Sequence, residues 1–173
     1  REAAEKRFPV GVVCQLDASN DSPSVTTGLY RYGVAADIFQ VIDLPDGSHT
    51  AIVHARQRIR IMGKGAGLVA PGSLSARVKL LDDVMPEDTA QLDAVMAKVD
   101  EVTREIASRT GDNEQMFNSA VSQIKGIPER LNFIATNIPV DPKDKMEMLA
   151  RTNIDVRARE LLRALIDMQE KMK

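Results

Sequence analysis

The chain has 173 residues, 23 Lys and Arg against 25 Asp and Glu, a net charge of −2 and a single cysteine. That near-neutral balance gives no global pull toward nucleic acid or an anionic membrane, and no stretch of about 18 apolar residues exists to span a bilayer. One cysteine excludes a disulfide within the chain, and Cys14, lying in an apolar run, is expected to be a buried free thiol in a reducing compartment.

Arg1–Lys6 reads as the tail of a helix, and strands are predicted near Val10–Leu16, Val34–Leu44, His49–Ile61 and Leu74–Leu81. Between the second and third strands stands Pro45-Asp46-Gly47. Asp-Gly between two apolar runs signals a hairpin with a tight primed turn. On the return run, Val53, Ala55, Gln57, Ile59 and Ile61 alternate with His54, Arg56, Arg58 and Arg60. Period two predicts one buried face and one wet, basic face. Ser19–Thr27 is a polar loop containing Pro23, and Gly63–Gly72, with four glycines and a proline, is a second and more mobile loop.

The pattern changes at Met85-Pro86. Eight of the ten glycines precede it, and helical periodicity follows, so a β-rich lobe (1–84) gives way to a helical lobe (85–173). Pro86 is expected to open the first helix, with Asp83 or Met85 near its cap. Leu92, Val95, Val99, Val102 and Ile106 form its inner face, and Gly111 ends it. A second helix, Asn113–Lys125, is stopped by Gly126; Pro128 starts a third and Asp141 caps a fourth. The last helix is capped by Asn153 or Asp155. It carries Ile154, Ala158, Leu161, Leu165, Met168 and Met172 at heptad-like spacing and runs on to the final residue.

Catalytic chemistry finds little material. His49 and His54 lie near a turn and on the wet strand face, and no HExxH, CxxC or GxSxG motif occurs. Gly63-Lys64-Gly65-Ala66-Gly67 lacks the Lys-Ser/Thr ending of a phosphate loop. No catalytic, metal or cofactor residue is therefore assigned. Two features suit binding instead. The Arg56, Arg58, Arg60 stripe is either a solvated face or a contact surface for acidic or phosphate groups. Methionines adapt to varied apolar partners; Met85, Met116 with its neighbour Phe117, and Met146 lie near element ends, where exposure is easiest.

A resemblance rests on three pieces in order: Tyr32-Gly33-Val34-Ala35-Ala36-Asp37-Ile38, Leu44-Pro45-Asp46-Gly47, and Val53-His54-Ala55-Arg56-Gln57-Arg58-Ile59-Arg60-Ile61. Together they resemble the central hairpin of the Lon protease N-terminal domain. Val12-Val13-Cys14-Gln15-Leu16-Asp17 is similar to the strand before it. Asp144–Leu149 with Asp155–Leu162 is similar to the family's helical close. The chain departs from the pattern at Tyr32, directly before Gly33, where Val is usual, and at Ala55, where Gly is frequent.

The resemblance implies an α+β fold: a small, partly open PUA-like β-barrel lobe followed by a helical bundle ending in a long helix. It implies a piece of a longer protein, lacking the family's first strand and leading from its last helix toward an ATPase domain. It also implies substrate recognition and homohexamer assembly for a cytoplasmic ATP-dependent serine protease of the AAA+ class. The ATP, Mg2+ and Ser-Lys dyad of such a protein would reside in other domains. Two alternatives stand beside it: a PUA-like module binding nucleic acid or a polyanion through the arginines, and a stand-alone protein of the same domain type with no protease attached.

Overall fold

The computed structural model describes residues 2–66, 73–111 and 114–173. The chain divides into two compact units, Arg1–Asp82 and Asp83–Lys173.

The first unit begins with helix α1 (Glu2–Lys6) and continues through strands β1 (Val10–Gln15), β2 (Leu29–Asp43), β3 (His49–Lys64) and β4 (Ala76–Leu81). All pair antiparallel in one open sheet of order β1-β2-β3-β4, each strand beside its neighbour in sequence. β2 starts five residues earlier than the alternation predicts, because Tyr30 and Tyr32 extend the β-forming run. Gly33 lets β1 lie close against β2. It pairs with Val13, and a Cβ there would overlap the Val12 carbonyl oxygen. Val25, Ala36, Ile59 and Ile61 supply the buried apolar residues of this unit. A cavity of ≈ 340 Å³ is lined by residues of all four strands, among them Val10, Ala35, Ile59, Ile61 and Val78.

Three expectations for this unit are corrected. The β2–β3 turn is not a two-residue primed turn. The Gly47 N–H donates to the Leu44 carbonyl, the Leu44 N–H donates to the Ser48 carbonyl, and of the turn residues Gly47 alone has positive φ, at 84°. That is a three-residue loop with glycine in the left-handed position, stabilised by Ser48 donating its N–H and hydroxyl to the Asp46 carboxylate. Cys14 is exposed, not buried. It sits at a register shift between Val13 and Gln15 on an edge strand, which lifts it out of the ladder. The simple alternation along β3 also fails. The ladder slips between Ala55 and Gln57, so Arg56 is an extra residue; Val53 and Ala55 are exposed, whereas Arg58 is buried. Part of the Gly63–Gly72 loop lies outside the described residues; β3 itself continues to Lys64.

The second unit contains α2 (Ala90–Thr110), α3 (Glu114–Gln123), α4 (Ile127–Asn137), α5 (Pro142–Leu149) and α6 (Ile154–Lys171). α2 starts four residues after Pro86, because the Asp88 carboxylate accepts the Ala90 N–H at 2.9 Å and Thr89 takes the cap position. The predicted inner face of α2 is the observed one: Leu92, Val99, Val102 and Ile106 are buried with Met96, and Val95 packs at the margin. Gly111 closes the helix at φ 84°, its N–H donating to the Ala107 carbonyl. Gly126 acts at the other end from the one expected. α3 stops at Gln123, and Gly126, in extended conformation, precedes α4, whose Pro128 occupies the first turn. Asp141 caps α5 by accepting the Lys143 N–H at 2.8 Å. Asn153 stands at the head of α6, whose Ile154, Ala158, Leu161 and Leu165 pack into a single core with Leu92, Ile106, Leu131 and Ile134.

Candidate protein-contact surfaces

The seven residues singled out from the sequence fall into different environments. Met116 on α3 is 71% exposed, and Met85 is exposed in the segment leading to α2. Phe117, one residue from Met116, turns inward. It packs against the helical core and stacks on Phe133 with ring centroids 5.7 Å apart. Met146 on α5 is half-buried. Of the three candidate methionines, Met85 and Met116 therefore offer an open thioether and Met146 does not.

The arginines do not form a uniform stripe. Arg56, bulged out of the ladder, pairs with the Asp37 carboxylate at 3.0 Å. Arg58 is 9% exposed and donates to the Asp82 carbonyl at 3.4 Å. Arg60 is exposed, with its guanidinium carbon 5.9 Å from the Tyr32 ring centroid. His49 lies 2.7 Å from an Asp43 oxygen. Bulging, burial and pairing thus remove most of the basic surface that alternation alone suggests.

Two features were missed by sequence reasoning. The first is the outer half of the β2–β3 hairpin. Phe39 is 81% exposed, and Ile42, Leu44, Ile52 and Val53 are exposed as well. β1 pairs with β2 only as far as Ala36, and β4 pairs with β3 only from Arg58 onward. Beyond those limits the hairpin is a two-stranded arm with no further described strand beside it. The length of the two apolar runs, set against the shorter flanking strands, was the available signal.

The second is Arg157, 3% exposed on α6. Its guanidinium donates to the Asp83 carboxylate at 2.7 Å and to the Arg151 carbonyl. Beside it the Val84 N–H donates to Thr152 and the Ile154 N–H donates to Val84. This clasp ties residues 83–84 to the start of α6, within the second unit. Arg157 lies three residues after Ile154 and four before Leu161, so its place on the core face was readable; its partner was not.

Among the described residues no group of three or more His, Cys, Asp or Glu is placed to hold a metal ion, and no helix is long and apolar enough to cross a membrane. The arrangement consists of apolar and thioether surface, open strand edges and internally paired charge.

Comparisons with known proteins agree on one grouping. The family model described as ATP-dependent protease La (LON) substrate-binding domain matches residues 1–167. The Lon protease of Parabacteroides distasonis is 27% identical over 163 residues, and that of Porphyromonas gingivalis is 28% identical over 167. Each match covers 94% of this chain and 19% of the relative, so the chain spans about a fifth of the length of these curated relatives. Among solved structures, the N-terminal domain of Mycobacterium avium complex Lon protease superposes with a TM-score of 0.64 at 18% identity, covering 92% of this chain and 91% of that one. A Lon N-terminal domain protein from Xanthomonas campestris gives 0.57 at 14% identity, over 94% and 79%. These likenesses extend the fold to both units.

Proposed function

The chain belongs to the substrate-binding domain family of the ATP-dependent Lon protease, and from that premise we propose that it captures unfolded or degron-bearing polypeptides for an ATP-dependent serine protease. In this reading ATP, Mg2+ and the Ser-Lys dyad act in domains beyond these 173 residues, and this chain performs no chemistry. The parent works as a cytoplasmic homohexamer, and the present domain helps arrange it. Capture is weak per copy, about 10–100 μM, and simultaneous engagement by several copies supplies the working affinity.

The observation that carries the reading is the family match together with the exposed apolar surface: Met85 and Met116 on one unit, Phe39, Ile52 and Val53 on the other. A solvated apolar surface of this kind gains most from a chain whose own apolar groups are uncovered. Binding through phosphate contacts is less well supported, since Arg56 is ion-paired and Arg58 is buried.

The test is binding of one protein in its denatured and folded forms to the 173-residue chain. Denatured ligand should bind more tightly, with modest salt dependence. Equal binding of the two forms, or binding abolished by about 0.3 M salt regardless of ligand apolarity, would instead favour a polyanion surface. Met116→Ser should weaken capture with circular dichroism unchanged. Phe117→Ser should destabilise the helical unit, because Phe117 is part of its packing.

A further inference from the structure

The geometry points to the open edge of β3 from His49 to Ala55 as a docking strand for an extended, apolar stretch of polypeptide free of acidic residues. The inference rests on the substrate-capture reading and names where on this chain the substrate sits.

The edge is available because the sheet changes width along its length. β4 covers β3 from Arg58 to Lys64 and then stops. Among the described residues, the next part of β3, His49 to Ala55, pairs with β2 alone. Seven extended residues present about 23 Å of edge, with backbone N–H and C=O groups directed outward along it. Ala51, Ile52 and Val53 lie in the middle of this stretch, the last two 45% and 46% exposed. Across the arm the 81% exposed Phe39 adds apolar surface.

Strand edges in native proteins are commonly blunted by bulges, lysine, proline or shortness. The two outer edges of the sheet show such devices. β1 is six residues long and broken at Cys14; β4 is equally short and carries Arg77 and Lys79. The His49–Ala55 stretch has no proline, lysine or arginine; the bulge at Arg56 lies just past its end, and a second, at Phe39, falls on β2 and not on the open strand. It is the sort of surface that template-adds a strand.

Charge selects the occupant. Asp37 is paired with Arg56, Asp43 with His49, and Asp46 accepts from Ser48. Only Asp37 faces a permanent cation; His49 is charged only when protonated and Ser48 is neutral, so the arm keeps a negative field that repels acidic segments. Apolar side chains and unpaired backbone remain to be satisfied. An unfolded chain supplies both at once, whereas a folded protein has already committed its backbone groups.

The experiment uses the 173-residue chain and two soluble fluorescein-labelled nonapeptides of alternating Val and Thr, one of them N-methylated at every second residue. Binding is read by anisotropy, and hydrogen exchange is followed by mass spectrometry. The expected result is slowed exchange over His49–Ala55 on adding the unmodified peptide. Affinity should fall at least tenfold for the N-methylated peptide, which cannot complete the ladder, and at least tenfold for Ile52→Lys/Val53→Lys. Those positions are exposed, so circular dichroism of the variant should match the parent. Peptide binding that leaves this edge exchanging freely, or that the variant and N-methylation do not weaken, overturns the inference and leaves substrate capture standing. Protection of His49–Ala55 that grows with protein concentration and needs no peptide overturns it in favour of a second copy. Failure to bind either the peptide or a denatured protein overturns both readings.

Discussion

The two units bury their apolar residues to very different degrees. In the helical unit, Leu92, Val99, Ile106, Leu131, Ile134, Ile154, Leu161 and Leu165 are closed off from water and contact one another as a single cluster. In the sheet unit, Phe8, Val12, Leu16, Phe39, Ile42, Leu44, Ile52, Val53, Met62, Leu74, Val78 and Leu80 are all exposed. Helices joined by short connections can turn their apolar stripes toward a common axis. A single sheet has two faces and covers neither without a second layer. The difference teaches that the helical unit is spent on stability, while the sheet unit keeps apolar surface and backbone edge in contact with solvent.

The comparison is broken most directly by deleting a core side chain on one side and an exposed one on the other. Leu161→Ala should cost about 2–5 kcal/mol, since transfer and cavity terms add at a fully buried site. Ile52→Ser, on the arm, should stay within about 0.5 kcal/mol of the parent. Urea unfolding of both variants checks this; similar costs would mean that the arm is packed in solution.

The next largest effect is expected at the clasp. Arg157→Ala should destabilise the helical unit by about 1.5–3 kcal/mol, the range for hydrogen bonds to charged groups. Because Asp83 stays about one-third exposed, its carboxylate can be rehydrated, which keeps the loss below that of a fully buried pair. Amide exchange at Val84 and Ile154 should speed up first, as their hydrogen bonds flank the guanidinium.

Gly33→Ala sharpens the comparison from the sheet side. The added methyl must displace the β1 backbone, at about 1–3 kcal/mol. Loosening should be confined to the sheet unit, so amides of α2 and α6 keep their protection. A uniform loss across both units would show that they unfold as one.

The smallest effect concerns the hairpin turn. The Ser48 hydroxyl, and then its backbone N–H, hold the Asp46 carboxyl below its ordinary value of 3.8. A depressed folded-state pKa contributes turn stability that is complete above 3.8 and is lost as pH falls through the folded value. The Ser48 amide shift should therefore titrate with a midpoint below 3.8, and Asp46→Ala should abolish that titration. A midpoint at or above 3.8 would mean that the turn does not hold in solution.

Much of this was readable in the sequence. The strands, the Pro45-Asp46-Gly47 turn position, the inner face of α2, the Asp141 cap and the apolar stripe of α6 follow from periodicity and capping chemistry, which act over a few residues. The turn's geometry did not, because Asp-Gly serves both a two-residue primed turn and a three-residue loop with a left-handed glycine. Of the candidate contact residues, Met116 and Phe117 show the limit most clearly. They are adjacent in sequence, yet Met116 is open and Phe117 is packed on Phe133.

The sequence by itself determined which residues alternate, which form helical stripes, and which family the motifs resemble. Only the tertiary structure decided that the extra residue at Arg56 ends the alternation, that Arg58 and Arg157 are buried, that Cys14 is exposed, and that the hairpin outruns its neighbours. The physical reason is that periodicity reports which side chains share a face. Whether anything lies against that face is set by the lengths and registers of other segments, distant in sequence, which no local pattern encodes.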